Sequence, residues 1–159
     1  MIDRRKKHNL PKSLFDKRDF LEIMKKRHWT IGVMESCTGG AIADSLTDIP
    51  GVSDIFKCGK VTYSEESKIE AGVDSKVIDR YSVFSEEVAL EMAKKIEGEI
   101  GIGVTGNLPG EVFMAIRIEN NFLTEKLTLK EKLKNKVADR KRMKIEVVKM
   151  VWKMISDNI

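Results

Sequence analysis

The sequence predicts a three-layer α/β/α sandwich built around a mixed, mostly parallel sheet. Three observations predict it. Apolar runs of strand length alternate with amphipathic helical patterns through the first two thirds of the chain. Two strand patterns then follow one another, joined through Asn120-Asn121, and a long helical pattern closes the chain. Strands separated by helices pair in parallel and a hairpin pairs antiparallel, so a sheet built this way is mixed and carries helices on both faces.

Each element has its own signal. From Asp16 the spacing of Phe20, Leu21, Ile23 and Met24 predicts a helix that ends near His28. Thr30 to Met34 reads as a short buried strand, and after Glu35-Ser36-Cys37-Thr38-Gly39-Gly40 a helix runs from Ala41 to Leu46 and closes at the Pro50-Gly51 turn. A second strand covers Phe56 to Tyr63, with a helix following from Ser64. Ser85-Glu86-Glu87 supplies the small polar residue and acidic first turn of another helix, which places Val88, Ala89, Met92 and Ala93 on one side. Ile100 to Thr105 is the third strand, and Glu111 to Ile118 with Phe122 to Leu129 forms the hairpin. Val137 to Ile155 is the closing helix, with Ile145, Val148, Trp152 and Ile155 along its apolar side.

Composition narrows the function classes. The 159 residues suffice for one domain with a core of its own; residues 1–15 read as a basic, poorly ordered arm and residues 16–159 as a single domain. No apolar run approaches the ~20 residues that span a bilayer. The basic N-terminus has no apolar segment behind it, so a cytoplasmic location is expected. Cys37 and Cys58 are the only cysteines, read as free thiols. His8 and His28 lack neighbours at ligand spacing, so neither a metal nor an organic cofactor is expected.

The net charge of +4 is unevenly spread. Residues 1–28 carry 10 Lys/Arg against 4 Asp/Glu, residues 29–123 carry 8 against 16, and residues 124–159 carry 11 against 5. No aromatic platform or arginine-rich repeat accompanies the basic ends, so they read as solvated helix faces and nucleic acid is not expected as the partner.

Two segments carry chemistry. Ser36 stands where a strand hands over to a helix, at the rim where α/β proteins bind ligands; Gly39 and Gly40 admit close backbone approach, and free amides at a helix start hold phosphate or an oxyanion. In the second, Tyr63-Ser64-Glu65-Glu66-Ser67-Lys68, an N-cap at Ser64 puts Tyr63 at N′ and Lys68 at N4, whose side chains meet across a helix start. A lysine freed of its proton by burial can serve as a general base. Taken singly, the first segment reads more often as a cap and tight turn, and the second as an ordinary surface lysine at the first turn of a helix.

Taken together and in order, Val33 to Gly40, Pro50-Gly51-Val52-Ser53, Val61-Thr62-Tyr63-Ser64 with Lys68, Gly72-Val73, Ser85-Glu86-Glu87-Val88-Ala89 and Thr105-Gly106 form a series that resembles the CinA C-terminal domain family. This is also called the nicotinamide mononucleotide deamidase or PncC family, of competence/damage-inducible proteins, and the resemblance covers residues 16 to 156. It implies an amidohydrolase of pyridine nucleotide salvage that converts nicotinamide mononucleotide to nicotinic acid mononucleotide and ammonia. It also implies a small-molecule nucleotide as ligand and a homodimer as assembly.

Carried over by residue, the resemblance implies Ser36 as nucleophile, Lys68 as base and Tyr63 as its partner. Glu35, Cys37, Thr38, Gly39, Gly40, Thr105 and Gly106 would line the substrate, and Arg140, of the pair Asp139-Arg140, would contact the phosphate. Two readings outside this assignment stay open: a nucleotide-binding module without turnover, and a DNA-associated interaction protein. A third reading makes Cys37 the nucleophile in place of Ser36, although adjacent residues face opposite ways. The chain also departs from the family pattern. Asn107-Leu108-Pro109-Gly110 leads straight into Glu111, shortening the pocket wall, and Lys144 stands where the family has a second arginine. Both changes bear on substrate choice and affinity ahead of chemistry.

Overall fold

The structure, a computed structural model, describes residues 16–159; the expected arm at 1–15 lies outside the described residues. The first helix, α1 (Lys17–Arg27), opens on Asp16, whose carboxylate accepts the Arg18 amide, and buries Phe20, Leu21 and Met24. β1 (Ile31–Glu35) is buried throughout and leads through the Ser36–Gly40 loop into α2 (Ala41–Thr47). A short 3-10 turn (Val52–Asp54) precedes β2 (Phe56–Val61). Three helices follow: α3 (Glu65–Glu70), α4 (Ser75–Tyr81) and α5 (Glu86–Lys95). β3 (Ile100–Gly106), β4 (Gly110–Ile118), β5 (Asn121–Leu129) and the long α6 (Lys136–Asn158) complete the chain.

The five strands lie in the order β2-β1-β3-β4-β5. β1 pairs in parallel with β2 and with β3, while β3 with β4 and β4 with β5 are antiparallel. The sheet is therefore mixed, as expected, but evenly divided and not mostly parallel. The cause is chain length: only residues 107–109 separate β3 from β4, whereas a parallel crossover needs a dozen or more residues.

Helices cover both faces. On one, α1, α2 and α6 enclose the main core, in which Phe20, Met24, Val33, Leu46, Ile102, Met114, Val147 and Val151 are fully buried. On the other, Met34, Val73, Ile78, Val88, Met92 and Ile96 form a second cluster beneath α4 and α5. α5 lies almost against the backbone of β3: a Cβ on Gly101 would come within 2.2 Å of the Ala93 carbonyl oxygen, and one on Gly103 within 2.1 Å of that of Ala89. No residue larger than glycine fits either position, so these two glycines set the distance between sheet and helix. Arg117 of β4 secures the far end of α5, donating to the carbonyls of Ala93, Ile96 and Gly98.

Three details differ from the sequence expectation. The helix expected from Ser64 is broken in two, because Gly72 takes φ 103° and Asp74 starts α4 by accepting the Lys76 amide. The hairpin turns at Glu119-Asn120, with Asn121 already paired to Ile118 in β5. Along α6 the buried stripe is Met143, Val147, Val151, Met154 and Ile155, while Ile145 is exposed and Val148 and Trp152 sit at its margin.

Candidate functional site

The mutually parallel strands β2, β1 and β3 end at one rim, so the residues that follow them, Thr62-Tyr63, Ser36 and Asn107, are delivered to the same place. Side-chain alternation then sorts them. Glu35, the last residue of β1, turns toward α2, and Ser36 turns to the opposite side, toward α3. There Ser64 caps α3 by accepting the Ser67 amide, and the Ser67 hydroxyl meets the Ser64 amide in return. This reciprocal cap fixes the first turn and points the N4 residue, Lys68, back across the strand ends.

The result is a buried hydroxyl–amine pair. Lys68 Nζ lies 3.0 Å from Ser36 Oγ and donates to the Thr62 carbonyl at 2.8 Å. Lys68 is 1% exposed and Ser36 3%. Burial pushes the Lys68 amine below the ordinary lysine value; the neighbouring Cys37 and Glu65 oppose the shift without cancelling it.

The loop between them is held from inside. Glu35, grouped from sequence with the substrate-lining residues, is 1% exposed and spends its carboxylate on the protein. It accepts the Thr38 hydroxyl at 2.6 Å and the amides of Ile42 and Ala43 at 3.0 and 2.8 Å. Thr38 is thereby also turned inward. Glu35 thus anchors the glycine loop to the start of α2, the end of a helix that favours negative charge. Glu35→Ala is expected to lower stability by about 3 kcal/mol through the loss of charge-assisted bonds and the stranding of their donors. Thr38→Val, which removes one of those bonds, should cost less; urea unfolding of both variants checks this.

The remaining loop residues present backbone to the rim. Gly39 and Gly40 take φ 62° and 100°, and the Gly39 amide closes a turn on the Ser36 carbonyl. The amides of Thr38 and Gly40 have no acceptor among the described residues. Cys37 faces the main core and is 4% exposed, and burial pushes its thiol up to about 11. Thr105 is buried and donates its hydroxyl to the Val83 carbonyl, tying the 82–84 loop to the end of β3. Gly106 is hemmed in by Glu111, whose carbonyl oxygen would lie 2.3 Å from an added Cβ.

α6 completes the rim. Arg140 donates to the Leu108 carbonyl and, at 3.2 Å, to the Tyr63 hydroxyl, so it spans the loop after β3 and the loop after β2. Tyr63 is 62% exposed. Its hydroxyl meets Arg140, whereas Lys68 is partnered by the carbonyl of Thr62. One turn along α6, the Lys144 amine approaches to 3.4 Å of where a Cβ on Gly39 would sit, and it has no hydrogen-bond or ion-pair partner among the described residues. Asp139, behind Arg140, is buried. Burial alone would raise its pKa, but hydrogen bonds from Arg142 and from the Lys132 and Leu133 amides hold the carboxyl below its ordinary value. It fastens the 130–135 segment to α6.

A family model described as the CinA C-terminal domain matches residues 16–157. The chain belongs to the CinA C-terminal domain family. A protein of Finegoldia magna named "Putative competence-damage inducible protein" is 38% identical over 131 residues, 75% of this chain and 32% of that protein. One of the same name from Clostridium botulinum is 46% identical over 89 residues, 53% of this chain and 22% of that protein. The chain thus spans a third or less of the length of these relatives.

Solved CinA-superfamily structures share the fold. The competence damage-inducible protein A of Klebsiella pneumoniae superposes with a TM-score of 0.74 at 20% identity, covering 89% of this chain and 93% of that one. A competence/damage inducible protein of Agrobacterium tumefaciens gives 0.72 at 24% identity, covering 89% and 93%. Within this CinA domain no group of three or more His, Cys, Asp or Glu side chains is arranged to hold a metal among the described residues, and no described helix is long and apolar enough to cross a membrane.

Two features of the rim were not legible from sequence. The Thr62 carbonyl as the second partner of Lys68 left no trace in the motif. The Val83 loop, joined to Thr105 across 22 positions, had no signal at all.

Proposed function

We propose that this CinA domain is a Ser/Lys amidohydrolase whose substrate is nicotinamide mononucleotide. One observation carries the reading: a lysine 1% exposed stands 3.0 Å from a buried serine hydroxyl at the rim of three strand ends. Burying a charged amine is costly, and with no carboxylate hydrogen-bonded to it burial shifts the balance toward the neutral form, the form a general base needs.

Neutral Lys68 takes the Ser36 proton as Oγ attacks the carboxamide carbon. The same proton then passes to the departing nitrogen, which leaves as ammonia. Water hydrolyses the resulting ester and frees nicotinic acid mononucleotide. The unspent amides of Thr38 and Gly40 are the donors available to the developing oxyanion. Arg140 and Lys144, one turn apart on α6 beside the glycine loop, are the cations available to the phosphate. Ammonia release from nicotinamide mononucleotide by the purified chain, with nicotinic acid mononucleotide appearing in equal amount, tests the reading; nucleotide binding without ammonia would make the chain a binding module.

Arg140→Ala is expected to raise KM for nicotinamide mononucleotide about tenfold, the loss of roughly one charge-assisted contact, with a smaller change in kcat. The comparison substrate is nicotinamide riboside, which lacks the phosphate. If KM for the riboside rises equally, Arg140 acts by tying the Tyr63 and Leu108 loops together and the phosphate assignment falls.

A further inference from the structure

Thr62 continues the ladder beyond β2, and its backbone is fully committed. Its amide donates to the Glu35 carbonyl at 2.8 Å and its carbonyl accepts Lys68 Nζ at 2.8 Å. Its side chain is not committed. Thr62 is 4% exposed, and among the described residues its Oγ1 is the buried side-chain polar atom without a hydrogen-bond partner. Native proteins rarely strand a buried hydroxyl, because valine fills the same volume without the desolvation cost.

The direction of that hydroxyl follows from its neighbours. Val61, opposite Glu35 in the ladder, sets its Cγ2 3.6 Å from the place of a Cβ on Gly40, on the α2 side of the sheet. Alternation puts the Thr62 side chain on the other side, the one to which Ser36 and Lys68 turn. Lys68 Nζ has two partners there, Ser36 Oγ and the Thr62 carbonyl, and a neutral amine keeps capacity for a third.

We propose that the Thr62 hydroxyl is a positioning group for the water that hydrolyses the acyl-enzyme, holding it between Thr62 Oγ1 and Lys68 Nζ; this rests on the Ser/Lys reading above. One O–H of the water is given to Thr62 Oγ1 and the other to the Lys68 lone pair. Lys68 takes that second proton while the water oxygen bonds to the acyl carbon. The adduct collapses by breaking the bond from that carbon to Ser36 Oγ, and Lys68 returns the proton to Oγ. The acid product leaves and loses its remaining proton to solvent, so Ser36 and Lys68 end as they began.

Thr62→Val and Thr62→Ser, assayed by rapid quench and intact mass on the full chain with nicotinamide mononucleotide, test this. The valine variant should release its first equivalent of ammonia at the parent rate and then stall about 10²-fold in steady state, with the Ser36 acyl adduct accumulating. Its melting temperature should not fall below the parent's, since the hydroxyl it lacks has no protein partner. Thr62→Ser should restore turnover. Parent-like turnover by Thr62→Val, or equal loss of both phases with no adduct and a lower melting temperature, would overturn the role of Thr62. A parent chain that releases no ammonia, or a Ser36→Ala variant that releases as much as the parent, would instead remove the Ser/Lys reading itself.

Discussion

Ser36→Ala is expected to lower kcat for deamidation of nicotinamide mononucleotide by about 10⁶-fold, the scale on which serine hydrolases lose rate when the nucleophile is removed. The fold should be unaffected. Ser36 sits beyond the end of β1, its amide is held by the Val104 carbonyl whatever the side chain, and its hydroxyl meets only Lys68 among its side-chain contacts. Substrate binding should also survive, because the cations offered to the phosphate belong to α6.

The adjoining thiol provides the control. Cys37 faces the core, and with its pKa at about 11 it carries almost no thiolate near neutrality. Cys37→Ala should therefore keep most of the activity. The pair is read by ammonia release together with isothermal titration of the substrate. Ser36→Ala retaining more than a small fraction of the parent rate, or Cys37→Ala losing all of it, would move the nucleophile away from Ser36.

How much of this was legible beforehand depends on the kind of information each feature needs. α1 and α5 were readable because Phe20, Leu21 and Met24, and Val88, Ala89, Met92 and Ala93, mark a buried stripe by period alone. α6 was harder: in 23 residues rich in Lys and Met, a stripe through Ile145 reads as well as the true one through Met143, Val147 and Val151. The break between α3 and α4 has a signal, Gly72 followed by Asp74, although the sequence reading places a single helix start, Ser64, ahead of Ser85. The direction of β4 followed from the length of its connection, which is a stronger constraint than the alternation of elements.

Within the site, cap register placed Lys68 at N4, but only the strand order brings it to a serine 32 positions earlier. Glu35 shows the opposite case. It adjoins Ser36 in sequence, and for that reason strand alternation sends it to the other side of the sheet, where it braces the loop. Thr62 could not have been singled out, because being buried without a partner is a property of the surroundings, and the residue type carries no mark of it.

The second large effect concerns Lys68. Its replacement by Ala is expected to lower kcat by about 10²- to 10⁴-fold, the range that a general base supplies, and exogenous primary amines should restore part of the loss by occupying the space left beside Ser36. Lys68→Arg should be as damaging, since a guanidinium holds its proton throughout the working range and cannot accept one from Oγ. Arginine at a position 1% exposed also disturbs packing, so the substitution alone does not separate chemistry from fold. The pH profile does.

Burial lowers the Lys68 pKa, which means that the folded protein disfavours the charged amine; the active, neutral form grows as pH rises through that lowered value. The parent kcat/KM should therefore climb with pH and level off below the ordinary lysine value of ~10.4. Linkage gives a matching sign for stability. Between the folded-state pKa and that of the unfolded chain, the unfolded state binds the extra proton, so unfolding free energy should rise with pH across that window. In Lys68→Ala both slopes attributable to this group should vanish, while amine-rescued activity should follow the pKa of the added amine. A rescued profile that keeps the parent's limb would exclude Lys68 as the base.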